Sequence, residues 1–316
     1  MAASPNTTFT ELVSTGLRDH PSEMADNLSN HNALYNRLRK RGKLKVLDGG
    51  NSIVRPLSHA GGTTNYQRYS GYDQLNVATF DSITAAEFNW KQAAVHVSAS
   101  GLELRSNSGK NQIIDLAAAR LKNAMRDFAN QFSSDMYSDG TATNQIGGLG
   151  LLVTNTGVDT VGGINASGNT WWKNQFYDSA FSASQLKNDL QRLWLACVRG
   201  ADKPDLVIME DTSFKSYWDK LTDIQRYSRR DVVAGWGFDS LMFNTADVVN
   251  EPTGSGIATN IVYMLNTDYL ELVAHRDANM TELPEKRSFN QDAVIIPIVF
   301  QGNLCVSNRA RQGKLF

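Results

Sequence analysis

The chain has 316 residues, of which 41% are hydrophobic and 20% are charged, so it can bury one large core or two ordinary ones. The chain has 31 Lys and Arg residues and 32 Asp and Glu residues, which gives a net charge of −1. This charge excludes binding of nucleic acid through a global basic field. The N-terminal sequence lacks the pattern of a signal peptide, and no apolar run approaches the ~20 residues that span a bilayer. We therefore expect a soluble protein of a reducing compartment, with Cys197 and Cys305 as buried free thiols.

The first segment, residues 1–48, is polar, with a short helix expected at about 24–38. It ends in NRLRKRGKLK, the densest basic run in the chain. Such a run is most often a solvated surface, and contact with phosphate or with an acidic neighbour is the alternative. The basic residues of this run and its end are Arg37, Arg39, Lys40, Arg41, Lys43 and Lys45.

Residues 49–104 carry the signals of β structure. In the long strand-like stretch, Phe88 and Trp90 occupy even-numbered positions and Val95 an odd-numbered one, so the apolar side chains change from one face of the strand to the other. This change predicts a bulge or strong twist near 92–94. The region has too few alternating apolar positions to stand alone. We therefore expect an extended two-stranded excursion with aromatic tips that another chain must cover.

Residues 111–137 have the clearest helical pattern, because apolar residues recur there at intervals of three or four. At ~1.5 Å per residue, the helix would be about 40 Å long. A long helix with one apolar stripe usually forms the structural backbone of a domain. The predicted core positions of the stripe include Ile114, Leu121, Met125, Phe128 and Phe132.

The following region, residues 140–180, is rich in Gly, Asn and Thr and predicts loops and short strands. The pattern then becomes α/β. A helical stripe runs from Leu186 to Cys197, PDLVIME predicts a short buried strand, and Asp211 or Thr212 would cap a second helix. This alternation predicts a second subdomain at about 181–285.

The C-terminal stretch DAVIIPIVFQGNLCVSN predicts two strands joined by a turn at Gly302 and Asn303. Pro297 would place the first of these strands at an edge or a bulge. The stretch is therefore expected to be a β-hairpin.

No motif for catalysis, cofactor binding or metal binding stands out. GGLGLLV lacks the third glycine and the following helix of a dinucleotide-binding loop, and the five histidines fall in separate segments without metal-ligand spacing. We therefore predict no catalytic, cofactor-binding or metal-binding residues and no cofactor. Glu210, at the end of the predicted buried strand, is the first candidate if the chain is instead a soluble α/β enzyme, although helix capping by Asp211 explains this position more simply.

The order of these parts is informative. AEFNWKQAAVHVSASGLEL runs into SGKNQIIDLAAARLKNAM, followed by IGGLGLLV, VGGIN, WWKNQ, KPDLVIMEDTSFKSYWDKL, IVYMLNTDYLELVAH and QGNLCVSNRARQGKL. This ordered set resembles the major capsid proteins of tailed double-stranded DNA bacteriophages over nearly the whole chain. The resemblance implies their α+β fold, the Hong Kong 97-type capsid fold.

The resemblance also implies a division of the chain. We expect an N-terminal arm at 1–48, an extension loop (a β-hairpin) at 49–110, a peripheral domain at 111–180 with its spine helix at 111–137, an axial domain at 181–285, and return strands of the peripheral domain at 286–316.

The implied function is self-assembly into hexamers and pentamers of an icosahedral shell that encloses the phage genome. The implied partners are copies of the chain itself, a portal protein, scaffolding and decoration proteins, and packaged DNA that is contacted weakly and without sequence specificity; assembly would occur in the bacterial host cytoplasm. The basic run would face either this DNA or an acidic neighbour. The aromatic residues of the extension loop expected to contact neighbouring subunits are Tyr66, Tyr69, Tyr72, Phe80, Phe88 and Trp90.

Two departures from the family pattern bear on these expectations. The chain lacks the long N-terminal segment that some members use as a built-in scaffold, so a separate scaffolding protein, or none, is expected. No lysine and asparagine pair identifies a covalent crosslink. The alternatives are the shell of a cellular nanocompartment with the same fold, which would dock cargo, and the soluble enzyme with Glu210.

Overall fold

The computed structural model describes residues 32–59, 66–76, 82–106, 116–178, 182, 184–221, 240–252, 254–284, 286–287 and 291–316. The helices are α1 (Ala33–Lys40), α2 (Gly101–Ser106), α3 (Leu116–Met136), α4 (Leu149–Leu152), α5 (Leu186–Cys197) and α6 (Asp211–Lys220). The strands are β1 (Leu44–Leu47), β2 (Ile53–Ser58), β3 (Ile83–Phe88), β4 (Lys91–Ser100), β5 (Thr160–Val161), β6 (Ile164–Asn165), β7 (Gln175–Tyr177), β8 (Leu206–Glu210), β9 (Ser240–Phe243), β10 (Ala246–Glu251), β11 (Val262–Leu265), β12 (Leu270–His275), β13 (Thr281–Glu282), β14 (Lys286–Arg287), β15 (Ala293–Val306) and β16 (Gly313–Leu315). The expected α+β class is confirmed.

The first of two six-stranded sheets is organised around β15, a strand of 14 residues. β15 pairs antiparallel with β4 over ten residues of each strand and with β12 nearer its C-terminal end. β1 adds to β12 as a parallel strand, and the short β13 and β14 complete the sheet. This sheet joins segments from both ends of the described chain.

Helix α3 packs on the first sheet through the C-terminal part of its apolar stripe. Phe128, Phe132 and Met136 are buried, and the Phe132 ring meets Phe300 of β15 edge-on at 4.8 Å between centroids. Met125 is 42% exposed, so its assignment to the core is wrong: the helix turns this position away from the sheet. The predicted helix start and Ile114 lie outside the described residues, as does the side chain of Leu121.

The second sheet has the strand order β7-β16-β11-β8-β10-β9. Its central strand, β8, is buried along its whole length, as predicted for PDLVIME. Helices α5 and α6 pack against this sheet and share a core with it. That core is separate from the larger one, which contains side chains from both sheets.

The two sheets do not coincide with the expected domain bounds in the sequence. β7 and β16 belong to the second sheet although they lie outside 181–285, and β12 and β13 lie within that range but belong to the first sheet. The physical reason is that a strand joins the sheet whose edge pairs its backbone groups, wherever it lies in the sequence.

The expected C-terminal hairpin is also wrong, because β15 continues through the proposed turn. Gly302 pairs with Ala274 of β12, and a Cβ atom at Gly302 would lie 2.2 Å from the Val273 carbonyl oxygen. The glycine therefore serves close packing within a sheet. Asn303 accepts a hydrogen bond from Gly147 N and donates one to the Asn89 carbonyl oxygen, which joins the Gly-rich loop to the β3–β4 junction.

Strands β2 and β3 form the excursion on their own, as a two-stranded antiparallel sheet. β4 was expected to belong to this excursion, but it pairs with β15 in the first sheet. The change of parity falls at residues 89–90, between β3 and β4, and not at 92–94. Because residues 89 and 90 lie outside both strands, the buried positions can change from even-numbered residues in β3 to odd-numbered residues in β4.

Candidate inter-subunit surfaces

The β2–β3 hairpin has one buried face and one exposed face, on which apolar side chains lie beside the charged Glu87. Its buried side chains are Ile53, Leu57, Ala86 and Phe88. Because side chains alternate along a strand, Val54 and Ile83 point the other way and are 48% and 76% exposed. Pro56 is exposed between them. An apolar stripe of this kind is typical of a surface that another chain covers.

The base of the hairpin is fixed to the body of the subunit. Arg55 forms an ion pair with Glu271 of β12 at 2.7 Å, and Glu87 N donates a hydrogen bond to the Gly162 carbonyl oxygen at 3.0 Å. Gly162 has φ +60°, and a Cβ atom there would lie 2.9 Å from the Ala86 Cβ atom. Glycine is therefore needed where β3 meets the β5–β6 turn.

Two of the predicted contact residues are used within the subunit, and another, Phe80, lies outside the described residues. Phe88 is 5% exposed and lies in the larger core, which contradicts its assignment as an inter-subunit anchor. Trp90 is half-buried against the same core and donates a hydrogen bond from Nε1 to the Gly50 carbonyl oxygen at 2.9 Å. The excursion does bury its aromatic residues at the base, because the body of the subunit lies beneath it.

The tip of the loop, residues 66–76, is closed by its own hydrogen bonds. Gln67 donates to the Gln74 carbonyl oxygen at 2.8 Å and accepts from Asn76 N at 2.9 Å. Asp73 accepts from Ser70 N at 2.8 Å. The apolar side chains of the tip nevertheless remain uncovered: the exposed fractions are 78% for Tyr66, 65% for Tyr69, 106% for Tyr72 and 54% for Leu75.

The predicted basic cluster is divided by the fold. Arg37 is 7% exposed and binds Asp205 at 3.0 Å and Asp247 at 2.9 Å, so its assignment to a lumenal or inter-subunit cluster is wrong. Arg41 pairs with Asp205 at 3.2 Å and with Asp268 at 3.1 Å. These contacts tie α1 to the loops at the start of β8, β10 and β12.

The rest of the cluster lies at the surface or next to it. Lys43 donates to the Asp268 carbonyl oxygen at 2.8 Å. Arg39, Lys40 and Lys45 are exposed. These outer side chains and the exposed Arg41 are placed for contact with another molecule.

Glu210 has a structural role at the end of β8. Its carboxylate accepts hydrogen bonds from Thr212 N and Ser213 N, both at 3.0 Å, and thereby caps α6. It also accepts from Asn260 N at 3.2 Å. Glu210, not Asp211, is therefore the cap, and these bonds explain a buried carboxylate at a strand end without catalysis.

Another buried carboxylate joins three elements. Glu251, at the end of β10, is fully buried, and its Oε2 accepts from Ala33 N at the start of α1 at 2.9 Å. Asn32 donates to the Ser133 hydroxyl of α3 at 2.8 Å. Burial raises the pKa of Glu251 to about 7, and the hydrogen bond from Ala33 opposes the rise.

The end of β4 is tied to α3 by Glu103, which lies in α2. Arg120 binds Glu103 at 3.0 Å and also donates to the Ser98 carbonyl oxygen at 3.2 Å. The hydrogen bond from Arg120 lowers the pKa of Glu103 to about 2. Glu103 is therefore a structural carboxylate at the point where the chain turns from strand to helix.

A cavity of about 270 Å³ opens beside the end of β2 that leads towards the tip. Ser58 and His59 line one wall, and the His59 ring stacks on Trp171 with 4.8 Å between centroids. Arg199 and Arg311 line the cavity as well, and none of the described residues that line it carries a carboxylate. We call it the Arg–Trp cavity. No sequence pattern predicted it, because its residues come from four distant segments.

Both cysteines are buried and unpaired, as predicted. Among the described residues, no three His, Cys, Asp or Glu side chains are grouped so as to hold a metal ion. In the same ranges no helix has the length and apolarity to cross a membrane.

The comparisons with known proteins agree with this architecture. The family model described as SU10 major capsid protein matches residues 90–297, about two thirds of the chain. A search of curated protein sequences gave no match.

Solved capsid structures resemble the chain over nearly its full length. The capsid asymmetric unit of cyanophage A-1(L) aligns with a TM-score of 0.71 and 15% identity, covering 95% of this chain and 96% of the other. The capsid of the native GTA particle aligns with a TM-score of 0.61 and 12% identity, covering 99% of each chain. For the capsid of Myoviridae phage XM1 the values are 0.54 and 13%, with 95% and 96% covered. At these identities the likeness shows a shared fold, the Hong Kong 97-type capsid fold expected from the sequence.

Proposed function

Since the chain belongs to the SU10 major capsid protein family, we propose that its copies assemble into the icosahedral shell that encloses the double-stranded DNA genome of a tailed bacteriophage. Its role is structural, and its working parts are the surfaces through which copies contact one another. Hexamers and pentamers of the chain form this shell.

The observation that carries this proposal is the tip at 66–76. A loop that is closed by its own hydrogen bonds and still leaves three tyrosines and a leucine uncovered gains no stability from those side chains within the subunit. Their burial by a second copy would be favourable at about 25 cal/mol per Å² of apolar surface. The exposed face of the hairpin, with Val54 and Ile83, extends the same surface.

The two sheets are assigned to two different domains of the capsid subunit. We propose that the first sheet and α3 form the peripheral domain, and that the second sheet with α5 and α6 forms the axial domain at the capsomer centre. Arg39 and Lys45 are proposed to contact packaged DNA or an acidic neighbour, and only weakly, since the chain carries a net charge of −1.

The proposed external partners are a portal protein and, where assembly requires them, scaffolding and decoration proteins. Assembly would take place in the cytoplasm of the bacterial host, and the product would reside in the virion capsid. A nanocompartment shell of the same fold is the alternative, and the phage family match argues against it.

Negative-stain electron microscopy of the purified chain tests the proposal. Closed shells, capsomers or tubes are the expected products, with or without a crowding agent or a scaffolding protein. The variant Tyr69→Ser/Tyr72→Ser should lower the particle yield, whereas the control Thr170→Ser, at another exposed position, should leave it unchanged. Monodisperse monomers under every condition would overturn the proposal.

A further inference from the structure

We propose that the Arg–Trp cavity of one subunit receives the tip, residues 66–76, of a neighbouring subunit. The occupant is thus a second copy of this chain. The inference rests on the proposed function and deepens it, because it assigns the receiving side of the contact that the tip makes.

The cavity offers positive charge and aromatic surface together. Arg199 is exposed, and Arg311 is half-buried with one guanidinium nitrogen donating to the Cys197 carbonyl oxygen at 3.1 Å. Within the described ranges, neither guanidinium forms an ion pair with a carboxylate. The stacked rings of Trp171 and His59 supply a flat apolar wall, and no described residue forms a hydrogen bond with the buried His59 Nδ1. A complementary ligand carries an aromatic ring and a carboxylate and can reach a buried donor or acceptor.

The tip supplies aromatic rings and one carboxylate, Asp73, and its other charged side chain is Arg68, five positions away. Tyr69 and Tyr72 flank the turn at Gly71, where φ is +53°, and Asp73 follows directly. A tyrosine ring can stack on Trp171 or lie under a guanidinium. The Asp73 carboxylate uses Oδ2 to accept from Ser70 N, which leaves Oδ1 for a charge-assisted hydrogen bond to an arginine.

The closed shape of the tip favours such an insertion. Its legs are already joined by the two hydrogen bonds of Gln67, so little conformational freedom is lost when it enters a cavity. Preorganisation of this kind raises affinity by lowering the entropic cost of binding.

Cysteine crosslinking between two singly substituted chains tests the placement. Chains carrying Gln74→Cys, at an exposed tip position whose side chain takes no part in closing the tip, are co-assembled with chains carrying Asn308→Cys, a residue that lines the cavity, and the particles are oxidised. A covalent dimer on a non-reducing gel is expected, while Gln74→Cys with the control Ser216→Cys on α6 should give none. The native cysteines are buried and contribute little background.

Charge reversal tests the chemistry independently. Asp73→Asn keeps the acceptor for Ser70 N and removes the charge, and Arg199→Glu reverses its proposed partner; each should lower the particle yield about tenfold. Asp73→Arg combined with Arg199→Glu should restore most of the yield. Lys203→Glu, on the same exposed loop as Arg199, is the matched control and should have no effect.

The outcomes separate the two proposals. Wild-type particles that yield no crosslinked dimer, or whose yield is insensitive to both single charge changes, would overturn the tip contact and leave the shell function standing. A cavity that binds a short DNA oligonucleotide in an Arg199-dependent manner, with assembly unaffected, would also overturn it. A wild-type chain that never assembles would overturn the shell function and this contact with it.

Discussion

Glu251 accepts a hydrogen bond from the backbone nitrogen of Ala33 at 2.9 Å, across 218 positions of sequence. The bond fixes the start of α1 to the end of β10, while Asn32 fixes the same point to Ser133 of α3. The second sheet, the long helix and the N-terminal helix therefore meet at one buried carboxylate. The side chains of Tyr137 and Ser255 also interact with this carboxylate, and both oppose the rise in the pKa of Glu251.

This junction predicts a pH dependence of stability. Burial raises the pKa of Glu251 from 4.5 to about 7, so the folded chain binds this proton more tightly than the unfolded chain. The resulting contribution is present below about pH 4.5 and is lost as the pH rises towards 7, by up to ~3 kcal/mol. Urea unfolding of the unassembled chain between about pH 5 and pH 8 should show this fall.

The variant Glu251→Gln should flatten that profile, because it does not ionise. The control Glu87→Gln changes an exposed carboxyl group on β3 and should leave the slope as in the wild type. A wild-type slope that survives Glu251→Gln would assign the effect to other groups.

The buried position of Arg37 predicts a large loss of stability on truncation. Arg37→Ala would leave Asp247 without its ion-pair partner, while Asp205 would keep Arg41; removing one partner from a buried pair costs about 3 kcal/mol. Arg39→Ala removes an exposed charge from the same helix and should change the free energy of unfolding by less than about 0.5 kcal/mol. Equal losses of unfolding free energy for the two variants in urea titrations would show that Arg37 belongs to the surface cluster predicted from the sequence.

Trp90 and Tyr72 should differ in what they stabilise. Trp90→Ala removes a ring that packs on the larger core and a hydrogen bond to Gly50, so the isolated subunit should lose about 2 kcal/mol. Tyr72→Ser removes a fully exposed ring and should leave subunit stability unchanged while lowering particle yield. Denaturation and microscopy of both variants measure the two effects separately.

Gly302 should not tolerate a side chain. Gly302→Ala would place a Cβ atom 2.2 Å from the Val273 carbonyl oxygen, which forces β12 and β15 apart and should cost at least ~2 kcal/mol. Gly168→Ala, where a Cβ atom would meet nothing within 4 Å, is the matched control. Wild-type thermal stability of Gly302→Ala would refute the tight β12–β15 contact.

The sequence predicted those features that depend on local backbone geometry. A helical period placed Phe128 and Phe132 on the buried face of α3, and an apolar run identified β8 as a buried strand. Both patterns follow from the repeat of the helix and the strand, which acts over a few residues. The order of such segments was enough to indicate the capsid family.

Tertiary structure decided every feature that depends on a distant partner. In the sequence, Arg37 is one member of a basic run. In the fold, it is buried and binds Asp205, which lies 168 positions away. The local sequence at Gly302 and Asn303 predicts a turn, but pairing with β12 continues the strand through both residues. Likewise, the Arg–Trp cavity exists only because the fold brings His59, Trp171, Arg199 and Arg311 together. Local sequence determines which elements form, whereas long-range pairing of backbone and charge determines which side chains remain at the surface to contact another subunit.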